Sequence, residues 1–234
     1  FSSIRNNGCE IVSNPLRRTA DTYEMDFDAL ERCAADPRAK VMLLCNPHNP
    51  AGRVWTPDEL TRLGNICLRN GVTCISPSKA FNIAGLQIAN IVAFDNDLRS
   101  RIDKAININE VCDVNPFGVA ATIAAYNEGE EWLNQLVDYL HGNYEAMAEF
   151  CRRELPEFPI TRLEGTYLVW MDCSSLGMPS DALEHALLDD ARLWLNAGTM
   201  YGAEGEGYMR WNIACPRSVM LDGLNRFLNF VRSR

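Results

Sequence analysis

The stretch that decides the fold is VMLLCNPHNPAGRVWTPDEL, residues 41–60. It opens on a short, continuous apolar run, VMLLCN (41–46), of the kind expected for a strand buried on both faces of a parallel sheet. Turn chemistry follows at once in Pro47, Pro50 and Gly52. Thr56, Pro57, Asp58 and Glu59 then read as an N-cap, a proline in the first helical position and acids in the first turn. Leu60, Leu63, Ile66 and Cys67 recur at helical spacing, and Asn70-Gly71 marks the helix end. VTCIS (72–76) is the next strand-like run. Strand, turn, helix and strand in this order imply a parallel α/β layer.

Further along, IANIVAF (88–94) is expected to form another strand and NDLRSRIDKAI (96–106) a helix. From Pro116 to about Leu155 the chain reads as helical, with a break and restart at Gly129, Glu130 and Glu131. Trp132, Leu136, Tyr139, Leu140, Tyr144 and Met147 are expected to face a core, a stripe that belongs to packing rather than to chemistry. After Pro156 and Pro159, strand-like TYLVWMD (166–172), ARLWLNAG (191–198) and YMRWNIAC (208–215) alternate with helices at 180–190 and 217–232. The expected organisation is part of a large α/β domain over 1–128, a linking helix over 129–155 and a smaller α+β domain over 156–234.

The chain has 234 residues, 47% of them hydrophobic, enough for one large core or two modest ones. A net charge of −9 argues against nucleic acid or an anionic membrane as partner, since both need clustered Lys and Arg. No apolar run approaches the ~20 residues that a bilayer span needs. The opening FSSIRNNG has no apolar signal-peptide core, and its lack of Met places the expected start upstream. None of the nine cysteines stands in a C-x-x-C pair, and Cys45, Cys67, Cys74 and Cys215 fall in apolar runs. Buried free thiols of a reducing cytosol are therefore expected. His48, His141 and His185 lack metal-ligand spacing, so no histidine-based metal site is expected.

Three places carry candidate chemistry. Lys79 stands in PSKAFNIAGLQ (77–87), a small-residue loop, with Ser76 and Ser78 beside it. A lysine there is either solvated or a reactive amine that forms a Schiff base with a carbonyl. Hydroxyls and loop N–H groups alongside suit the phosphate of a phosphorylated aldehyde. Asn49 lies at the carboxyl end of the expected parallel strand, where ligands of open α/β sheets gather, although taken alone it reads first as a plain Asn-Pro turn residue. Arg210 stands inside the apolar run YMRWNIAC and needs an anion, either a structural carboxylate or that of a substrate.

Taken together, NNGCEIVSNPL, YEMDFDALE, LLCNPHNPAGRVWTPDEL, PSKAFNIAGLQ, EGTYLVWMD and MRWNIACPRS resemble the fold-type I pyridoxal-phosphate enzymes of the class I/II aminotransferase superfamily. Within it the chain is most similar to the carbon–sulfur β-lyase branch, cystathionine β-lyase-like enzymes that include the maltose-regulon modulator type. The resemblance implies a three-layer α/β/α cofactor-binding domain, partly missing here, and a smaller C-terminal α+β domain. It implies that Lys79 holds pyridoxal 5'-phosphate covalently, that Asn49 bonds its phenolic oxygen, and that Ser76 and Ser78 lie near its phosphate. Arg210 would clamp the substrate α-carboxylate. A cytoplasmic homodimer acting on a small amino acid is implied as well.

One departure bears on the reaction. Where aminotransferases of the superfamily carry an Arg eight residues after the lysine, this chain has Gln87, as the β-lyase branch does. That favours elimination over transamination, with an aminotransferase or a regulatory binding protein on the same scaffold as alternatives. The family's aspartate for the pyridine nitrogen is expected about 28 residues after Asn49, where this sequence has Pro77. Parallel neighbours also need a crossover of about a dozen residues or more, and none separates VTCIS from the lysine loop. A connection is thus expected to be missing near residues 75–77, along with a segment before Phe1, and a cofactor-free structure is expected.

Overall fold

The computed structural model describes residues 2–67, 72–93, 95–108, 110 and 113–234. In chain order the elements begin with α1 (Ser2–Asn6), β1 (Arg17–Arg18), β2 (Tyr23–Glu24), α2 (Phe27–Ala34) and α3 (Pro57–Cys67). Next come β3 (Val72–Ile75), β4 (Asn90–Ala93), α4 (Asn96–Ile108), α5 (Pro116–Glu128) and α6 (Glu130–Glu154). The last are β5 (Leu168–Asp172), α7 (Ser180–Ala191), β6 (Asn196–Ala197), β7 (Tyr208–Asn212) and α8 (Arg217–Arg232). They form two compact units, Phe1–Cys67 with Leu140–Arg234, and Leu68–Tyr139.

In the first unit, local chemistry starts the helices as the sequence indicates. Asp26 caps α2 by accepting from the Ala29 N–H at 2.9 Å. Thr56 and Glu59 close a capping box at the head of α3. The Thr56 hydroxyl accepts from the Glu59 N–H at 3.2 Å, and the Glu59 carboxylate accepts from the Thr56 N–H at 2.8 Å. Met25, Leu30, Trp55 and Leu63 bury a small core here.

The main core lies under a three-stranded antiparallel sheet of order β5-β7-β6. Met147 and Phe150 of α6, Leu183 and Leu187 of α7, and Leu224 and Phe227 of α8 meet Val169, Met171, Met209 and Trp211 of the sheet. The period-2 alternation of β7 sends Met209 and Trp211 into this core, which leaves Tyr208, Arg210 and Asn212 on the opposite face. Directly opposed residues share a face, so Trp170 and Asn196 join Arg210 there. Asn143, fully buried, stitches α6 to the exit of β7. Its Nδ2 donates to the Ile213 and Cys215 carbonyls at 3.0 Å, and its Oδ1 accepts from Arg217 Nε at 3.1 Å.

The second unit holds the β3–β4 hairpin, α4, α5 and the first turns of α6. Gly118 of α5 sits so close to Ile88 and the Leu86 carbonyl that a Cβ would come within 3.2–3.3 Å of both. Phe81 packs on Trp132 and edge-on to Tyr126.

Several expectations need correction. VMLLCN is not a strand: residues 41–45 carry no regular structure, with Val41 82% and Leu43 69% exposed. A fully buried strand needs paired neighbours and a layer on each face, and the first unit supplies neither to this run. All strand pairs among the described residues are antiparallel, and β3 pairs with β4, not with 41–46. Residues 76–89 return the chain without a long helix, which suits antiparallel pairing. ARLWLNAG yields only the two-residue β6. Trp132 and Tyr139 stay about half exposed, and the stripe of α6 reaches a core only from Tyr144 and Met147 onward. The described cysteines are free, but Cys45 and Cys74 are exposed and Cys67 and Cys215 only half-buried. The buried thiols are Cys151 and Cys173, with burial pushing Cys151 up to about 12. The helix end at Asn70-Gly71 and the last residue of IANIVAF, Phe94, lie outside the described residues.

Candidate active site

The loop that carries Asn49 is built rigidly. Gly52 adopts a left-handed φ of +70°, so its N–H reaches back to the His48 carbonyl at 2.8 Å. The His48 N–H donates to the Arg53 carbonyl at 2.7 Å, closing the turn from the other side. The Gly52 carbonyl accepts from the N–H groups of Glu164 and Gly165 at 2.9 and 3.0 Å. Arg53, 8% exposed, anchors the loop's exit. It donates to Glu59 at 2.6 Å, to Glu164 at 2.5 Å and to the Tyr23 carbonyl at 2.8 Å, and lies over the Trp55 ring. Burial alone would raise the Glu164 pKa, but the Val54 N–H and Arg53 hold it below the ordinary carboxylate range. Burial pushes the His48 imidazole down, keeping it neutral near pH 7.

Asn49 itself is exposed, and its Oδ1 accepts from Arg210 Nη1 at 3.2 Å. Arg210 Nη2 donates to Asn196 Oδ1. Below the guanidinium lies the Tyr201 ring, 5.1 Å from Cζ to the ring centre. Trp170 meets Tyr201 edge-on and stacks on Tyr208, whose far side carries Arg18. Among the described residues Arg210 forms no ion pair, and its Nε is buried without a hydrogen-bond partner, as is the Tyr201 hydroxyl. Both acceptors on Arg210 are neutral amides, so no carboxylate of the described chain balances its charge. This arrangement is suited to an incoming carboxylate.

In the second unit the structure places Ser76, Ser78 and Lys79 in one turn after β3. Ser76 Oγ donates to the Ile88 carbonyl at 2.6 Å and accepts from the Ser78 N–H at 3.2 Å. The two hydroxyl oxygens are 2.6 Å apart. Ser78 Oγ also reaches the Ile88 carbonyl, at 3.4 Å, so Ser76 is the closer brace of the turn and Ser78 the more weakly held hydroxyl. Pro77 is fully buried, while Lys79 is exposed and makes no hydrogen bond or ion pair among the described residues. Gln87 closes the loop in the left-handed region at φ +51°. An exposed amine without a partner among the described residues, beside two hydroxyls, fits a phosphorylated aldehyde. No group of three or more His, Cys, Asp or Glu able to hold a metal occurs among the described residues.

Sequence reasoning singled out Asn49 and Arg210 separately and missed what joins them. Asn196 and Tyr201 gave no signal by type, because Asn after Leu and Tyr before Gly are ordinary turn chemistry. The one available clue was the cross-strand register, which places Asn196 opposite Arg210 once β6 is recognised.

A fold with this sheet, this turn-held Asn and this lysine loop is that of a defined enzyme class. A sequence model of the aminotransferase class I and II family matches residues 2–76 and 69–227, and the chain belongs to that family. Among its relatives, the cystathionine beta-lyase PatB of Bacillus subtilis (strain 168) is 34% identical over 259 aligned positions, covering 97% of this chain and 67% of that protein. Protein MalY of Escherichia coli (strain K12) is 30% identical, covering 100% of this chain and 68% of that protein. The PLP-bound C–S lyase of Staphylococcus hominis, complexed with the inhibitor L-cycloserine, superposes with a TM-score of 0.91 at 30% identity, covering 100% of this chain and 68% of that one. The chain therefore spans about two thirds of the length of these relatives.

Proposed function

We propose that the protein is a pyridoxal-phosphate-dependent carbon–sulfur β-lyase that cleaves cystathionine or a related S-substituted cysteine to a thiol, pyruvate and ammonia. The observation that carries this reading is Arg210, a guanidinium held by two neutral amides and in ion pair with no carboxylate among the described residues, in a chain 34% identical to a cystathionine β-lyase. When bound, the cofactor supplies an electron sink for the bonds at the substrate Cα.

The chain's own residues do the rest. Lys79 would hold the cofactor covalently, and its Nζ, when free, would take the α-proton of the substrate. Ser78 and Ser76 would hold the phosphate. Asn49 offers its amide to the phenolic oxygen, and Arg210 holds the substrate carboxylate so that the Cα–H bond is oriented for removal. The Cβ–S bond then breaks with its electron pair on sulfur, and the three-carbon remainder hydrolyses to pyruvate and ammonia. Gln87, where the superfamily's transaminases carry an Arg, supports elimination. An aminotransferase is the second reading, favoured by the family match itself. Thiol release from cystathionine against keto-acid-dependent amino transfer separates the two. Amino transfer without thiol release overturns the lyase reading.

The role left without a residue is the carboxylate at the pyridine nitrogen, because Pro77 stands at its expected place. Two facts support a missing connection there. The two family matches share residues 69–76, and the alignment to the Bacillus subtilis relative has 259 positions for a chain of 234 residues. The division into a large domain over 1–128, a linking helix over 129–155 and a small domain over 156–234 belongs to the same proposal, as does a cytoplasmic homodimer. The exposed Phe117, Ile123 and Tyr126 of α5 support a subunit contact. No helix among the described residues is long and apolar enough to cross a membrane.

A further inference from the structure

Asn49 and Asn196 both bond Arg210, but they come from different kinds of structure. Asn49 stands on a loop. Asn196 stands on β6, directly across from Arg210 in the β6–β7 register, with Trp170 directly across on the β5 side. Opposed residues of antiparallel strands share a face with their Cβ atoms about 5 Å apart. The backbone ladder, not a ligand, therefore sets Asn196 Oδ1 against Arg210 Nη2. Tyr201 closes the underside, with the guanidinium carbon 5.1 Å above its ring. Edge and floor together leave the guanidinium little freedom to turn.

The amide's neutrality matters as much as its position. Asp has nearly the same shape as Asn and would bond the guanidinium more strongly, as a charge-assisted pair. It would also cancel the charge that an incoming carboxylate needs. We propose that Asn196 is the positioning residue that fixes Arg210 for the carboxylate of an amino-acid substrate, and that a neutral side chain is required there to leave the guanidinium's charge to the ligand. The inference rests on Arg210 being the carboxylate clamp of the proposed function.

The test is glycine binding to the purified, cofactor-loaded protein by titration calorimetry, for the unsubstituted chain, N196A and N196D, with thermal midpoints alongside. One lost bond to a charged group predicts about tenfold weaker glycine binding for N196A. N196D is expected to bind glycine at least another tenfold more weakly while melting no lower than N196A. A purely structural brace gives the opposite order, because Asp restores the bond. Recovery of glycine affinity in N196D, or unaltered affinity in N196A, overturns the proposal. Thiol release from cystathionine is measured in the same preparations. The expected order of glycine affinities without thiol release in the unsubstituted protein sinks the lyase reading and leaves the role of Asn196 standing. No glycine binding by the unsubstituted protein overturns Arg210 as the carboxylate clamp and with it the role of Asn196, while thiol release still decides the lyase reading.

Discussion

Arg210 Nη1 donates to Asn49 Oδ1 at 3.2 Å, a contact that ties the Asn-Pro loop to the middle strand of the β5-β7-β6 sheet. The two residues are 161 positions apart, so the contact exists only in the folded chain. Its consequence is that the cofactor-facing amide and the carboxylate clamp of the proposed function share one hydrogen bond. R210K keeps the charge but loses the planar fork, which bonds Asn49 and Asn196 at once. We expect KM for cystathionine to rise about 10–100-fold in R210K, from the loss of one or two charge-assisted bonds. Steady-state kinetics check this, and an unaltered KM would remove Arg210 from the site.

Lys79 is predicted to be indispensable. It is exposed in the turn after β3, and its removal breaks no hydrogen bond or ion pair among the described residues. With the cofactor removed from both proteins, K79A is expected to keep the thermal midpoint within about 2 °C, as surface substitutions within about ±0.5 kcal/mol do. With the cofactor supplied, it is expected to lose both the visible absorbance of the bound cofactor and thiol release. Thiol release persisting in K79A would refute the assignment.

Much of this was legible in the sequence for a physical reason. Helix starts depend on local chemistry, and the Thr56–Glu59 capping box that opens α3 at Pro57 follows directly from residue type. The turn-forming Asn-Pro and Lys loops are local as well. Strand pairing is not local. VMLLCN has the composition of a buried strand, yet it forms none, since a strand is made by its neighbours and none is provided. The Arg210–Asn196 contact was hidden for the same reason: it depends on register between strands 14 residues apart, of which one is only two residues long.

The Arg53–Glu164–Glu59 cluster makes a prediction about acid. Glu164 titrates below its ordinary value in the folded chain, so the unfolded chain binds the proton more readily. Its stabilisation is fully present above the ordinary carboxylate pKa and is lost as pH falls through the lowered folded value. E164Q removes that dependence. It is expected to cost about 2 kcal/mol at pH 7, the range for a hydrogen bond to a charged group. The loss shrinks as pH drops below about 4, the ordinary carboxylate range, toward the lowered folded value. Urea unfolding of both proteins at several pH values reads this out. Equal differences at pH 7 and at pH 3 would mean that the charge of Glu164 contributes nothing.

Gly52 supplies the last prediction, because it separates backbone strain from crowding. A Cβ at this position would come 2.7 Å from Leu163 Cδ1, which is the far end of a flexible side chain and can swing away. The φ of +70° has no such remedy, and a non-glycine residue in the left-handed region costs about 1–2 kcal/mol. G52A is therefore expected to lose about that much stability. G52N carries a larger side chain past the same leucine, but Asn adopts the left-handed region more readily than Ala. If strain dominates, G52N is the more stable of the two. If crowding dominates, it is the less stable. The His48–Gly52 turn also carries Asn49, so whichever variant unfolds earlier in urea is expected to show the higher KM for cystathionine. Denaturation midpoints ranked against KM values decide between the two causes.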